Sequence, residues 1–343
     1  MEYRIILPGG AWEEAGQQLA DIYYTSAYYA MSTLVQGGEA RCFHFVHRGM
    51  EAYYPFLQQA IPGTGLSDLQ GAYGYNGVSC RKYDTDFQKA FHHQFSHYCE
   101  REGIVAEFTR FHPLSDNAAF SEGYLSVYRQ RNTVGVDLSQ GYEKVWNESY
   151  STNNRNEIRR AAREGLCVEE AGSLAEYHAF AALYRQLMQE RGAEDFFLWP
   201  DAYFSAAYAL PPGERYLLLA RSRDQVVGGA LFLCHGNMAH YHLAARDTNF
   251  NMLPVANVLL DEGIRQATQR ACLWMHLGGG LSASDQDPLL AFKRKFSRTL
   301  FSFSIGTRIH READYQRLNA DWERRNPEKA GRSGAYFLKY RLP

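Results

Sequence analysis

The stretch "LWMHLGGGLSASDQDPLLAFKRKFS", Leu273 to Ser297, sets the fold prediction. Its first five residues are an apolar run typical of a buried strand, and three glycines follow. Glycines directly after a strand indicate a sharp turn or the close approach of another group to the backbone. A polar loop then leads to Phe292–Phe296, where two phenylalanines enclose three cations. This order suggests that a lysine beside the strand end stabilises negative charge. A solvent-exposed surface lysine is the alternative.

Working outward, strands and helices alternate along the chain, which predicts a mixed α/β fold. The order hairpin, glycine- or asparagine-containing segment, helix and strand occurs twice, which we interpret as a structural duplication. The first copy has a hairpin of Arg41–His47 and Glu51–Ile61, the segment Gly71–Val78, a helix after Asp84 and a strand at Ile104–Phe111. The second has a hairpin of Arg215–Ser222 and Gln225–Gly236, a strand at Met238–Ala245, a helix at Leu253–Ala271 and the strand Cys272–Leu277.

The composition is that of a globular protein with a sizeable core. Of 343 residues, 45% are hydrophobic and 22% are charged, and the formal net charge is -2. That balance excludes a global basic field for nucleic acid. The six cysteines form no CxxC pair, which is typical of a reducing compartment. We see neither a signal peptide nor a membrane span, so we expect a cytoplasmic protein that is still able to contact a membrane surface.

The segment Asn153–Gly165 is rich in arginine. Arg155, Arg159 and Arg163 are four residues apart and share one helix face, with Arg160 beside it. Such a strip matches phosphate or carboxylate groups. A solvated basic face is the alternative.

Familiar catalytic motifs are absent. The segment "GGGLSAS" has neither the GxxxxGK[ST] nor the GxGxxG spacing of phosphate-binding loops. His93 and His97 lie four residues apart, but no third ligand stands at a recognised offset, so we predict no metal site. No GxSxG pattern supports a nucleophilic serine.

Four stretches taken together resemble a known family. They are "AYGYNGV" at Ala72–Val78, "NNRNEIRRAAREG" at Asn153–Gly165, "LPVANVLLDEGIRQA" at Leu253–Ala267 and "MHLGGG…LLAFKRKFS" at Met275–Ser297. In order and spacing they resemble the Fem-type peptidoglycan aminoacyltransferases, within the GNAT acyltransferase superfamily. The resemblance covers roughly Arg41 to Ser304.

The resemblance implies an α/β fold of two tandem GNAT-like domains, each a twisted mixed sheet flanked by helices. The first would span residues 1–145 and be completed by about 305–343, and the second would span 146–304. A C-terminal strand would return to the first domain, and Gly334–Leu342, "GAYFLKYRL", has the appearance of that strand.

The resemblance also implies an activity. Family members transfer an acyl or aminoacyl group to an amine, taking it from aminoacyl-tRNA or, in other GNAT proteins, from acyl-CoA. No metal and no covalently bound cofactor is needed. The expected acceptor is a small-molecule, lipid-linked or nucleotide-linked sugar, an amine on a cell-envelope or polysaccharide precursor.

Mapped onto this sequence, the resemblance implies specific site residues. Lys293 matches the family's basic residue near the reacting ester and is the main catalytic candidate. Tyr241, the second catalytic candidate, would line the acyl channel with His242. Gly278 and Gly279 would let a substrate pass close to the strand end. The remaining candidates are Tyr73, Tyr75 and Asn76 in the acceptor groove and Arg155 and Arg159 near phosphates.

Two departures from the family pattern leave alternatives open. The GNAT pyrophosphate loop, Q/RxxGxG/A, is replaced by "RDTNFNMLPVAN", which argues against ordinary acetyl-CoA binding in the second domain. The long helical arm of some Fem-type members is also absent, which with the net charge makes extended tRNA contacts doubtful. The alternatives are a non-catalytic binding module for an anionic sugar or lipid, and an N-acetyltransferase that uses acetyl-CoA through the first domain.

Overall fold

The computed structural model describes residues 2–16, 19, 21–330 and 336–343. In these ranges thirteen strands form one mixed sheet. The strands are β1 (Glu2–Ile6), β2 (Glu39–His47), β3 (Met50–Ala60), β4 (Ser67–Gln70), β5 (Ser79–Cys80), β6 (Ile104–Arg110), β7 (Ser126–Asp137), β8 (Leu166–Glu170), β9 (Arg215–Ser222), β10 (Gln225–His235), β11 (Met238–Arg246), β12 (Trp274–Gly279) and β13 (Leu300–Ile309).

The helices cover both faces of this sheet. They are α1 (Gly10–Gly16), α2 (Ser26–Gln36), α3 (Thr85–Arg101), α4 (Asn117–Ser121), α5 (Tyr142–Lys144), α6 (Thr152–Arg163), α7 (Leu174–Glu190), α8 (Asp201–Ala209), α9 (Val255–Gln269), α10 (Pro288–Lys293), α11 (Glu312–Arg325) and α12 (Pro327–Ala330). No helix in the described part of the chain is both long enough and apolar enough to span a membrane.

The duplication predicted from the sequence is present in the strand pairing. In the first half, β2, β3 and β4 are consecutive antiparallel neighbours, and β6 returns through α3 to pair parallel with β4. In the second half, β9, β10 and β11 repeat that arrangement, and β12 returns through α9 to pair parallel with β11. The mixed α/β fold with two similar halves is therefore confirmed.

The halves are not separate sheets, because they exchange their last strands. β7 follows the first half in sequence but pairs with β12 of the second, and β13 follows the second half but pairs with β6 of the first. β7 and β13 also pair with each other along most of their lengths. These backbone hydrogen bonds join two half-sheets edge to edge.

The strand that returns to the first half is β13, so the strand predicted at Gly334–Leu342 is wrong. Residues 334 and 335 lie outside the described residues, and Tyr336–Leu342 form turns with a single 3₁₀ turn at Lys339–Arg341. This segment is attached by side chains instead of a strand ladder. The Arg341 guanidinium donates to Asp68 and to the carbonyls of Gln59 and Ala60.

Two hydrophobic cores in the second half define the faces of the sheet. One core packs α7 and α8 on β9–β11 and also contains α1 and α2 of the first half. We call this side the α2 face. The other core packs α9 and the segment around Phe296 against the opposite side, which we call the α9 face. Because α2 and α8 share a core, the two halves pack as one body.

Candidate functional site

An opening in the sheet separates β11 from β12. The two strands pair only from Met238–Trp274 to His240–His276. β11 then continues to Arg246, while a bulge between His276 and Gly278 keeps β12 on β7. The two strands therefore part, and the opening connects the two faces of the sheet.

The glycines at the end of β12 allow ionisable side chains to approach the backbone closely. Gly278 has φ of 75°, and a Cβ there would lie 3.1 Å from Lys293 Nζ. A Cβ on Gly280 would lie 2.4 Å from the Asp287 carboxyl group. That carboxylate accepts hydrogen bonds from four backbone N–H groups, those of Leu281, Ser282, Leu289 and Leu290. Two charged side chains therefore approach the strand end, and a larger residue would displace them.

Lys293 is the last residue of α10 and lies at the opening. Its side chain is buried, and Nζ donates a 2.7 Å hydrogen bond to the Gly279 carbonyl. Burial lowers the pKa of Lys293 from 10.5 to about 7, and the charge of Asp287 acts in the opposite direction. An amine with this pKa is able to exchange protons near neutral pH.

A cavity of about 790 Å³ passes through the opening. Tyr184 and Leu187 line it from the α2 face, and Leu253 and Phe292 line it from the α9 face. This size is ordinary for a small-molecule or cofactor site. Five cations and one acid contribute to the lining: Arg160, Arg191, Arg246, Lys293, Lys295 and Glu157.

The cationic part of the cavity lies at the start of α9. Val255, Ala256 and Asn257 line the cavity, and Pro254 gives the helix no side-chain cap. The N–H groups of Val255 and Ala256 are therefore available to an anion, whereas that of Asn257 donates to the Pro254 carbonyl, and the helix dipole favours negative charge there. Arg160 is nearby, because its Nη2 donates to the Met252 carbonyl.

The structure brings Arg160 to the cavity and not Arg155 or Arg159. Arg155 donates to the carbonyls of Trp146, Asn147 and Tyr150, and the Arg159 guanidinium lies 5.6 Å from the Trp146 ring centroid. These contacts fix the turn before α6. The helix period explains the difference. Arg155 and Arg159 share one face of α6, and Arg160, one residue further along, points to the neighbouring face, which lines the cavity. The role predicted for Arg155 and Arg159 is untested, and the geometry favours Arg160.

Tyr241 and His242 both line the cavity, although neighbouring residues of a strand point to opposite faces. Both reach it because it crosses the sheet. His242 Nε2 lies 2.6 Å from the Tyr203 hydroxyl. Burial, with a smaller effect of His240, lowers the pKa of His242 to about 3, so its ring is neutral. The catalytic role of Tyr241 stays a prediction.

Of the three candidates in the "YGYNG" segment, one lines the cavity. Tyr73 does so, with its ring centroid 4.8 Å from that of Trp199. Tyr75 packs instead against His276, at 5.0 Å between centroids. Asn76 is fully buried, and its side-chain oxygen accepts from the Arg110 backbone N–H. Asn76 therefore holds the segment to β6 and does not face the cavity, contrary to the prediction.

A buried polar network that sequence reasoning missed joins the two halves. Asp21 Oδ2 lies 2.6 Å from His240 Nε2 and 3.2 Å from His112 Nε2, and all three side chains are buried. The two histidines hold the pKa of Asp21 far below its usual range, despite burial. His276, opposite His240 in the strand register, has a buried Nε2 without a partner among the described residues. Asp21, His112 and His240 are distant in sequence, so no local pattern links them.

Asp21, His112 and His240 also have the composition of a metal site. His112 Nδ1, however, accepts a hydrogen bond from the Leu114 backbone N–H. In a neutral ring this places the hydrogen on Nε2, where it is donated to Asp21. A metal at Nε2 would have to displace that hydrogen, so the group fits a hydrogen-bond network better than a metal centre.

A second group, Cys99, Glu107 and His310, is also close enough to hold an ion. Its only described internal hydrogen bond joins His310 Nε2 to Glu107 at 3.3 Å. Burial raises the pKa of the Cys99 thiol well above its usual value. Because burial keeps the Cys99 thiol protonated, an ion bound by these three residues would have to release that proton.

A comparison with known protein families matches the part of the chain that contains the opening. Residues 149–294 match the family model of the acetyltransferase (GNAT) domain. These residues contain α6, the opening, the start of α9 and Lys293. A search of curated proteins finds no match.

Solved structures resemble nearly the whole chain. The crystal structure of FemX is 14% identical, with a TM-score of 0.71, and the match covers 92% of this chain and 99% of that one. L-PGS from Bacillus licheniformis is 12% identical, with a TM-score of 0.61, and covers 88% and 92%. The C-terminal domain (DUF2156) of a putative lysylphosphatidylglycerol synthetase from Agrobacterium fabrum is 15% identical, with a TM-score of 0.53, and covers 83% and 88%. The predicted resemblance to Fem-type GNAT proteins is thereby confirmed for the fold, which is all that identities this low show.

Proposed function

We propose that this protein transfers an acyl or aminoacyl group from a phosphate-bearing donor to an amine on a cell-envelope or polysaccharide precursor. The opening between β11 and β12 carries this proposal. It lies within the residues that match the GNAT domain model, and Lys293 faces it. A cavity that crosses the sheet gives two substrates separate approaches to one reacting point.

The donor occupies the α9 side of the cavity. Its phosphates bind the uncapped start of α9 together with Arg160, and its acyl group extends toward Tyr241. Acyl-CoA and aminoacyl-tRNA both have this chemistry. GNAT domains generally use acyl-CoA, which makes acyl-CoA the first donor to test. The chain lacks the usual pyrophosphate loop. Arg160 of α6 and Arg246 of β11 supply cationic groups for the donor phosphates in its place.

The reaction is direct attack of the amine nitrogen on the donor carbonyl carbon. A carbon–nitrogen bond forms, and the carbon–sulfur or carbon–oxygen bond of the donor breaks. Neutral Lys293 accepts the proton that the attacking amine loses, and the ammonium so formed stabilises negative charge beside the Gly279 carbonyl. Lys293 then returns this proton to the thiolate or alkoxide that leaves, which regenerates the neutral amine.

The acceptor approaches from the α2 face, where Tyr73 lines the cavity beside Trp199. A lipid-linked acceptor would bring the protein to a membrane surface from the cytoplasm. The similar structure named for lysylphosphatidylglycerol is consistent with such an acceptor. The assay must identify which amine-bearing precursor is the acceptor.

The test combines binding with turnover. Thermal shifts with acetyl-CoA, charged tRNA and UDP-linked muropeptides identify which donor or acceptor binds. Release of free thiol from acyl-CoA, or of uncharged tRNA, is then measured with amine acceptors present. Release that depends on the amine and is lost in Lys293→Met supports the proposal. Binding without release from either donor would refute transfer and leave the binding-module alternative.

A further inference from the structure

Arg110, on the α2 face near the end of β6, has an unusual environment. Its guanidinium lies 5.0 Å from the Phe108 ring centroid, and its Nη1 is buried without a hydrogen-bond partner. Within the described ranges no carboxylate forms an ion pair with it. Arg110 is half-buried and has no counter-charge among the described residues, so its guanidinium is available to an anionic ligand.

Tyrosines surround this guanidinium. Burial lowers the pKa of Arg110, and the ionisable groups that oppose this shift are the hydroxyls of Tyr336, Tyr73, Tyr28 and Tyr75. Of these, Tyr73 also lines the cavity. Tyrosine hydroxyls are neutral, so these neighbours leave the charge of Arg110 uncompensated, and the Tyr28 hydroxyl already donates to the Tyr73 carbonyl.

A second arginine reaches the same region. Arg110 is paired with Ile305 on β13, and Arg131 of β7 is paired with Phe303, two residues away on the same face of β13. Two strand spacings and two residues place their Cα atoms about 12 Å apart. The Phe303 ring packs on Tyr75 at 5.5 Å, and both guanidiniums act on the pKa of Tyr75.

Arg131 links this region to the reacting point. Its Nη1 donates to the carbonyls of Gly280 and Leu281, the residues directly after the Gly279 carbonyl that accepts from Lys293. Its Nε is buried without a partner. An anion held by Arg110 and Arg131 would therefore lie beside the opening, on the side from which the acceptor approaches.

The geometry points to an oxyanion-binding site in which Arg110 and Arg131 hold a carboxylate or phosphate group of the amine substrate. This inference rests on the proposed function, because it assigns the acceptor to amines that carry an oxyanion close to the nitrogen. Arg110 binds the oxyanion, and Arg131 positions it relative to the glycine loop. A guanidinium fork suits both carboxylate and phosphate, so the two sources are separated by experiment.

The experiment uses matched probes that differ only in the anion. L-lysine is compared with L-lysinamide, and phosphoethanolamine with ethanolamine, by thermal shift and calorimetric titration without any donor. The variants are Arg110→Gln and Arg110→Lys. Arg129→Gln is the control, since Arg129 is an exposed arginine of β7 that bonds Ser302 and Asn132.

We expect one or both anionic probes to bind more tightly than their neutral counterparts. Arg110→Gln should weaken that binding by roughly tenfold to a hundredfold, equivalent to ~1.4 to ~2.7 kcal/mol, and leave the neutral probes unchanged. Arg110→Lys should restore part of it. Preference for lysine assigns a carboxylate, and preference for phosphoethanolamine assigns a phosphate. Without probes, Arg110→Gln should not lower Tm, because it removes an unpaired charge.

Two results would overturn the site. One is equal binding of anionic and neutral probes by the unchanged protein, and the other is an equal effect of Arg110→Gln and Arg129→Gln. Since no donor is present, the result is independent of turnover. A protein that binds the anionic probes through Arg110 but never releases thiol or tRNA keeps this site and loses the proposed function.

Discussion

Replacing Lys293 with methionine tests the central feature of the site. Methionine is similar in length and apolar, so it fills the buried space without a charge. Lys293 Nζ makes its described hydrogen bond to a carbonyl, that of Gly279, and the nearby carboxylate of Asp287 is occupied by backbone N–H groups. The substitution therefore removes a buried amine and breaks no ion pair among the described residues.

The magnitude follows from the lowered pKa. An unfolded chain keeps Lys293 protonated up to its usual pKa of 10.5, whereas the folded protein releases the proton at about 7. Between these values the unfolded state binds more protons, so the stability of the unchanged protein rises with pH. The rise amounts to about 2 kcal/mol between about pH 7 and about pH 9. In Lys293→Met this contribution is absent.

The assay is urea unfolding of both proteins across that pH range. The variant should be the more stable at the acidic end, and its advantage should shrink by about 2 kcal/mol toward the alkaline end. Turnover gives a second measurement. Lys293→Met should lose amine-dependent release by roughly a hundredfold, the usual range for a general base.

The control is Lys295→Met, because Lys295 is half-exposed and lies 6.0 Å from the Phe292 ring centroid. It should leave the pH dependence of stability unchanged. If the stability difference between the unchanged protein and Lys293→Met stays constant with pH, the amine is not held in a neutral form. Full turnover in a stable Lys293→Met would remove the residue from the chemistry.

Three further predictions concern the same region. Gly278→Ala should lower the free energy of unfolding by about 1 kcal/mol or more, because φ is positive and the new Cβ meets Lys293 Nζ. Urea unfolding measures this loss, and an unchanged unfolding midpoint would contradict the predicted strain. Asp21→Asn should cost roughly 3 kcal/mol near neutral pH, since it removes the buried charge and leaves one acceptor oxygen for the three groups that now bond to two, the Tyr23 N–H, His112 and His240. Because the pKa of Asp21 is lowered in the folded state, this difference should diminish as pH falls below its usual value, and a constant difference would count against the network. Arg160→Gln should raise the KM for the phosphate-bearing donor by about tenfold and weaken its dependence on salt, without changing kcat; an equal loss in kcat would mean that Arg160 acts on the chemistry.

Local patterns were sufficient to predict most elements. The hairpins, the strand at Ile104 and the helix after Pro254 lie close to their predicted bounds, since turn residues and hydrophobic period determine them. The strand predicted at Gly334–Leu342 is wrong although Tyr336–Leu342 has apolar and polar residues in strand-like order. Arg341 attaches this segment through side-chain hydrogen bonds instead. Sequence pattern does not show which segment has a free strand edge to pair with.

The site was predictable only in part. The glycines and Lys293 are close in sequence, so their proximity follows from a strand, a loop and a short helix. Asp21 and His240 meet only through tertiary packing, and Arg110 and Arg131 are brought to one region only because their strands both pair with β13, so no local signal indicates either arrangement. For the arginines of α6, the spacing identified a basic helix but not its rotation, which packing against the turn at Trp146 determines.

The exchange of final strands has a consequence for biosynthesis. While a ribosome is still translating the second half, β6 and β7 each lack a neighbour, because β13 lies between them in the finished sheet. The nascent first half therefore emerges with one open edge on β6, while β7 has no strand partner until β12 and β13 are made, and about two hundred residues separate β6 from the strand that closes it. Vectorial synthesis therefore cannot complete the sheet of the first half before the second half has been made, and the emergence of β13 is the step that joins the two half-sheets.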